Sequence, residues 1–255
     1  MVRYSGAERK RHNMSRFFAV KKNIRGSEIV IDSAEDIHHI KNVLRLKENA
    51  VFDVSDSEEW EYKVRLTYMS KKEIRAAILD KQKFAGEPEL NTTLFQAVPK
   101  AGKMEAIIQK SVELGVKRIV PVFTLRTIPA AGKEERWQKI AAEAVKQCRR
   151  GIIPEVAEAV SVTEAARVFR SGRFDKVIFP YENATGRSIK DALRSLHEKP
   201  GSLAVIIGPE GGFSDEEAEL LVSAGADAVT LGKTILRTET AGPAAIAMIM
   251  YELEL

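Results

Sequence analysis

From residue 91 to the end of the chain, apolar runs of strand length alternate with stretches of helical periodicity, and this alternation narrows the possible folds more than any other feature. Strands are predicted over residues 91–98, 118–123, 174–179, 202–207 and 228–231, and helices over 103–114, 133–149, 188–197, 215–224 and 241–253. The run at 202–207, Ser-Leu-Ala-Val-Ile-Ile, is apolar almost throughout, as a strand covered on both faces must be. In the first helix Met104, Ile107, Ile108 and Ser111 share one side, and Gly115 stands where a C-cap belongs. Strand–helix alternation of this kind predicts an α/β domain built on a largely parallel sheet with helices on both faces.

The pattern before residue 87 is different. Short strands are predicted at 16–20, 28–32, 50–54, 62–66 and 72–79, interrupted by one short helix. Ser33 or Asp32 caps that helix, Asp36 stands at the capping-box position, and Ile37, Ile40, Val43 and Leu44 follow at helical spacing. Several short strands with a single helix suggest a small β-barrel. Residues 83–89 combine Gly, Pro and charge and serve as the linker, so the domains are expected at 1–86 and 87–255.

Composition removes several classes. Cys148 is the single cysteine of 255 residues, which rules out an intrachain disulfide and a cysteine-based zinc site; no metal is expected. No apolar run approaches the roughly 20 residues of a membrane-spanning helix, and no apolar stretch follows the charged N-terminus as a secretory signal requires. The expectation is a cytoplasmic protein without a membrane partner. Net charge is only +4, but residues 1–25 carry eight Lys and Arg against Glu8, so this arm holds +7 and the other 230 residues sum to −3. A basic arm on a near-neutral body suits contact with a phosphate backbone, although a solubilising tail would have the same composition.

Three loops at predicted strand ends carry the chemistry. Ile207, Gly208, Pro209, Glu210, Gly211 and Gly212 follow an apolar strand and precede a helix capped by Ser214, with Asp215, Glu216 and Glu217 in its first turn. Glycines at a strand's C-terminal end let backbone approach a ligand, and that edge is where open α/β sheets bind. Four acids disfavour phosphate there, so a neutral or cationic ligand is expected. Gly211 is the position expected to lack room for a branched side chain and to require a positive φ. The second loop runs from Leu231 to Ala241 and places apolar Ile235 and Leu236 beside Arg237 and Glu239. Its Gly232-Lys233-Thr234 imitates the end of a phosphate-binding loop, but Gly225 lies too far upstream for that motif. The third is Phe179, Pro180, Tyr181 and Glu182.

These loops, together with Arg16-Phe17-Phe18, the run from His39 to Arg45, the run from Lys103 to Val116, and Glu135, Trp137, Glu143, Gln147 and Arg149, resemble the RsmE family over nearly the whole chain. Members are S-adenosylmethionine-dependent methyltransferases that modify N3 of a uridine in the decoding region of 16S rRNA. The resemblance implies an N-terminal PUA-like β-barrel domain for RNA binding and a C-terminal SPOUT-type parallel-sheet domain tied in a trefoil knot. It implies that S-adenosylmethionine is held, mainly by backbone, at Phe179, Pro180, Tyr181, Glu182, Ile207, Gly208, Pro209, Glu210, Gly211, Gly212, Leu231, Gly232, Ile235, Leu236, Arg237, Thr240 and Ala241. The partners it implies are 16S rRNA, within the small ribosomal subunit, and a second copy of the chain.

Arg237 and Glu239 are the expected catalytic pair: Arg237 for the developing uridine anion or a phosphate, Glu239 as part of the acidic surroundings of a sulfonium. A salt bridge between the two is the structural alternative for Arg237. Arg9, Lys10, Arg11, Arg16 and Arg45 are expected to contact RNA. His38 and His39 are candidate bases, with a partly buried, hydrogen-bonded state the alternative for His39. A related enzyme acting on a ribose hydroxyl or on tRNA, and an RNA-binding module without catalysis, are the rival readings. The last helix is apolar on nearly every face, which predicts burial all round and a dimer contact.

Overall fold

A computed structural model describes residues 16–84, 86–127 and 132–255. The chain separates into two compact units, Met1–Phe84 and Ala85–Leu255. Arg9, Lys10 and Arg11 lie outside the described residues.

The described part of the first unit is a sheet of six strands: β1 (Phe17–Phe18), β2 (Ile24–Arg25), β3 (Glu28–Ile31), β4 (Val51–Ser55), β5 (Trp60–Met69) and β6 (Ile74–Lys83), in the order β1-β4-β5-β6-β3-β2. Every pairing is antiparallel except that of β1 with β4. Alternation places Ile29 and Ile31, Phe52 and Val54, and Val64 and Leu66 in the core, where Phe17 meets Phe52 edge-on. β5 and β6 both run beyond the predicted apolar stretches because Trp60 pairs with Lys83, and the ammonium of Lys81 lies 3.8 Å from the indole centre. The short helix α1 (Ala34–His38) starts at Ser33, whose side chain accepts from the Asp36 N–H, and passes into a π turn over His39–Val43. Within that turn His39 is half-buried, edge-on to Phe17, and His38 Nδ1 lies 2.9 Å from Asn42 Nδ2.

The second unit contains β7 (Asn91–Ala97), α2 (Met104–Glu113), β8 (Arg118–Phe123), α3 (Glu134–Cys148), β9 (Glu155–Val156), β10 (Val160–Ser161), α4 (Val162–Arg170), β11 (Lys176–Pro180), α5 (Ile189–Arg194), β12 (Ser202–Ile207), α6 (Asp215–Ser223), β13 (Asp227–Val229) and α7 (Thr238–Leu253). Among the described residues its seven strands are all parallel, in the order β10-β8-β7-β12-β11-β13, with β9 beside β8. The central strands β7 and β12 are buried on both faces; β12 is apolar after Ser202, whereas β7 also buries Thr92, Thr93 and Gln96. No helix among the described residues is long and apolar enough to cross a membrane.

The structure departs from the sequence reading in the two short strands β9 and β10, which were not expected, and in the helices α4 and α7. The helix α4 was not expected, although Ser161 and Glu164 form a full capping box and Val162, Ala165, Ala166 and Phe169 are its buried face. The last helix begins at Thr238 rather than residue 241, so part of the expected loop is its first turn. That helix is also not buried all round: Ala241, Ala245, Ile246 and Ile249 face the core, while Pro243, Ala244, Ala247, Met248 and Tyr251 keep access to solvent.

Candidate functional site

Because the strands are parallel, their C-terminal ends lie along one edge of the sheet. Pro180 of β11 is level with Val229 of β13, and Ile207 of β12 with Gln96 of β7. The three predicted loops therefore emerge side by side, joined by a fourth after β7 that the sequence reading did not include.

The loop after β12 turns sharply. The Gly212 N–H donates to the Pro209 carbonyl at 3.0 Å, and Ser214 then opens α6 through a capping box with Glu217. The left-handed residue is Gly212, at φ +69°, and not Gly211 as expected. A Cβ on Gly212 would also collide with the Glu182 carboxylate from the loop after β11. Gly211 is constrained differently: a Cβ there would sit 3.3 Å from Arg126 Cδ, and the Arg126 guanidinium donates to the Gly211 carbonyl. Phe213 is buried, edge-on to Phe179 at 5.4 Å, and Phe179 stacks on Tyr181 at 5.1 Å. Aromatic packing thus fixes the loops after β11 and β12 against each other.

Two ties join the loop after β12 to the start of α7. Beneath the surface, the buried Thr238 hydroxyl donates to the Gly208 carbonyl at 2.6 Å and accepts from Gln96 Nε2 at 3.0 Å. Gln96 Oε1 has no hydrogen-bond partner among the described residues. Nearer the solvent, Lys103 Nζ lies 3.2 Å from Glu210 and 3.3 Å from Glu239, and the Lys100 N–H donates to Glu210 at 3.2 Å. Burial pushes the Glu210 carboxyl up, but hydrogen bonds from its own N–H, Lys103 and Lys100 outweigh this and leave it below the ordinary glutamate value. Glu239 is also held low, first by its own backbone N–H in the opening turn of α7 and then by Lys103. Lys103 is raised in turn, chiefly by Glu210.

Arg237 occupies the N-cap position of α7, where its carbonyl accepts from the Thr240 and Ala241 N–H groups. Its side chain is exposed and forms no ion pair among the described residues, so the expected alternative of a bridge to Glu239 does not occur; Glu239 pairs with Lys103. Ile235 is 83% exposed, Leu236 and Leu231 are half-buried, and a Cβ on Gly232 would meet open space. Thr240 is exposed and Ala241 buried. In the first unit Arg45 is exposed in the left-handed region at φ +51°. Arg16 differs, because its guanidinium pairs with Glu61 and lies 5.9 Å from the Phe84 ring centre. A phosphate would have to displace Glu61 to reach it.

Sequence reasoning missed Gln96 and Arg126, and gave no role of their own to Lys103, at the head of a segment that carries the resemblance, or to Thr238, inside the predicted loop from Leu231 to Ala241. Each lies on a different element, and only the strand order shows that they converge. The arrangement supplies backbone-lined turns, exposed apolar side chains, two ionised carboxylates and one unpaired guanidinium at one sheet edge.

A family model described as an RNA methyltransferase domain matches residues 86–250, and one described as an RNA methyltransferase PUA domain matches residues 31–79. Ribosomal RNA small subunit methyltransferase E of Bacillus subtilis is 32% identical over 253 residues, covering 95% of this chain and 98% of its own. The crystal structure of ribosomal RNA small subunit methyltransferase E from Neisseria gonorrhoeae bound to S-adenosyl methionine matches with a TM-score of 0.80 at 33% identity, over 93% of this chain and 97% of that one. A Legionella pneumophila methyltransferase in complex with the cofactor SAM matches with a TM-score of 0.79 at 30% identity, over the same shares of the two chains. With both units matched and the relatives covered almost end to end, the chain belongs to the RNA methyltransferase family that includes ribosomal RNA small subunit methyltransferase E.

Proposed function

We propose that this chain is an S-adenosylmethionine-dependent methyltransferase that methylates N3 of a uridine in the 16S rRNA of the small ribosomal subunit. The observation that carries the reading is the convergence of the loops after β11, β12 and β13 on one sheet edge, in a chain related end to end to methyltransferases of ribosomal RNA. A trefoil knot in residues 87–255 and a PUA-like barrel in residues 1–86 belong to the same proposal.

The residues fit the cofactor. Exposed Ile235 and half-buried Leu236 offer apolar surface to an adenine-sized ring, the space at Gly232 is open, and Glu210 and Glu239 supply negative charge suited to a cation. When bound, S-adenosylmethionine supplies the methyl group on a positive sulfonium. Methylation at N3 would form an N–C bond as the S–C bond breaks, leaving the neutral thioether product, with the N3 proton passing to solvent; as that proton leaves ahead of the methyl, negative charge develops on the uracil. Arg237, with a guanidinium not spent on an ion pair, stabilises that charge. Glu239, held ionised by the α7 N-terminus and Lys103, is a weak proton acceptor and acts through its charge. The uridine must leave its stack to reach the site. Arg45 and the arm residues Arg9, Lys10 and Arg11 contact the RNA backbone. Alanine at all three arm positions then weakens RNA binding and flattens its salt dependence, measured as affinity across a salt series.

Two copies pair through the solvent-facing apolar side of α7, including Met248 and Tyr251. Sedimentation of the full chain at micromolar concentration tests this, and a monomer there removes it. The function itself is tested by nucleoside mass spectrometry of 16S rRNA from a strain lacking the gene. The expected result is loss of 3-methyluridine, restored by the parent and not by Arg237→Ala. Unchanged 3-methyluridine would refute the assignment.

A further inference from the structure

The fourth loop, between β7 and α2, has no assigned role, yet its conformation is unusual. Ala101 and Gly102 are both left-handed, at φ +54° and +73°. A non-glycine residue in that region persists only where its surroundings hold it. The turn ends at Lys103 and presents two donors to the same acid: the Lys100 N–H and the Lys103 ammonium both reach Glu210. The same ammonium reaches Glu239, 136 residues away in sequence, on the first turn of α7. A single cation therefore lies between the loop after β12 and the start of α7.

No other described cation is paired with these two acids. Arg237 forms no ion pair, and Arg126 is engaged by the Gly211 carbonyl. Without Lys103, two ionised carboxylates would face each other across the span of one ammonium, and their repulsion would push the two loops apart. The Thr238 hydroxyl would still link Gly208 to α7 below, so the fold would survive while the outer parts of both loops separated.

We propose that Lys103 is the positioning residue of the cofactor site, clamping the loop after β12 to the first turn of α7 through Glu210 and Glu239 so that the cofactor meets a preformed edge. The proposal rests on the cofactor reading of these loops. It predicts a sign opposite to simple charge. Removing a cation from a site for a cationic ligand should by Coulomb's law alone tighten S-adenosylmethionine and leave the uncharged-sulfur product S-adenosylhomocysteine unaffected. Loss of a clamp weakens both alike.

The test is calorimetric titration of the full chain with each of these two ligands, for the parent, Lys103→Met and Lys103→Arg. Lys103→Met is expected to raise both dissociation constants about ten-fold, as loss of a charge-assisted bridge allows. Lys103→Arg, whose fork can span both acids, recovers most of the loss. Amide exchange at Gly208, Gly211 and Glu239 quickens in Lys103→Met alone. In turnover, the deficit falls on KM for the cofactor more than on kcat. Parental affinity in Lys103→Met, or tighter S-adenosylmethionine with unchanged product binding, overturns the clamp. A parent that binds neither ligand refutes the cofactor reading instead. Should Lys103→Met fail to fold, Glu239→Gln removes one arm of the clamp: weaker binding of S-adenosylhomocysteine as well as S-adenosylmethionine is expected, and weakening of S-adenosylmethionine alone, the direct charge effect, overturns the clamp.

Discussion

Two charge clusters in the second unit join distant stretches of chain, and they do so at different depths. Arg150 and Glu87 are only 7% and 8% exposed at their side chains. Their ion pair is 2.8 Å long; Arg150 also donates to the Val112 and Val116 carbonyls, while Glu87 accepts from the Gly151 and Ile152 N–H groups. At the site, Lys103, Glu210 and Glu239 retain 33%, 29% and 26% exposure. The first cluster is dry and saturated with hydrogen bonds, so removing one partner strands a charge that water cannot reach. The second remains within reach of water and is correspondingly inexpensive to open. Similar pair geometry therefore serves the fold in one place and ligand access in the other, and depth decides which.

Glu87→Ala tests the contrast most severely. It leaves the Arg150 guanidinium buried and unpaired, and the expected loss is about 3–5 kcal/mol in stability, read as a fall in the urea midpoint at constant slope. A loss comparable to that of an exposed pair would erase the distinction. Thr238→Val comes next. It keeps the side-chain shape but leaves the Gly208 carbonyl and the Gln96 amide short of a partner, for a cost of about 1–3 kcal/mol, with cofactor affinity falling as the loop loosens. An unchanged midpoint with parental affinity would show that the buried tie contributes nothing.

The smallest effect is in pH. Glu210 and Glu239 both have folded values depressed below the ordinary glutamate value of 4.5. The stabilisation they contribute is complete above that unfolded value and is lost as pH falls through the lower folded values. Cofactor affinity should therefore stay level from neutral pH down to the ordinary carboxylate range and weaken only below it. A decline beginning nearer neutrality would place the controlling group elsewhere.

Much of this was legible in the residues, for local reasons. The central strands announced themselves because both faces are buried, and α6 because Ser214, Glu217 and the intervening acids form a complete start signal. The start signal of α4 was equally complete at Ser161 and Glu164, but Val162, Ala165 and Ala166, small or β-branched, make up most of its apolar face, and it went unread. Gly211 and Gly212 are indistinguishable in sequence; only the turn closed by the Pro209 carbonyl assigns the positive φ to Gly212. Thr238 looked like loop because α7 has no side-chain cap and opens instead on the carbonyl of Arg237.

By itself the sequence determined most of the strands and helices of the second unit, though not α4, β9 or β10, and the three loops rich in ligand-type residues. Those properties depend on neighbours along the chain, through periodicity, caps and turns. Tertiary structure alone decided that β7 lies beside β12, and with that the meeting of Gln96 with Thr238 and of Lys103 with Glu210 and Glu239. Strand order is set by how whole faces pack, and no local signal encodes it. A lysine at the start of one helix and two glutamates more than a hundred residues away become a single electrostatic unit only when the sheet brings their ends to one edge.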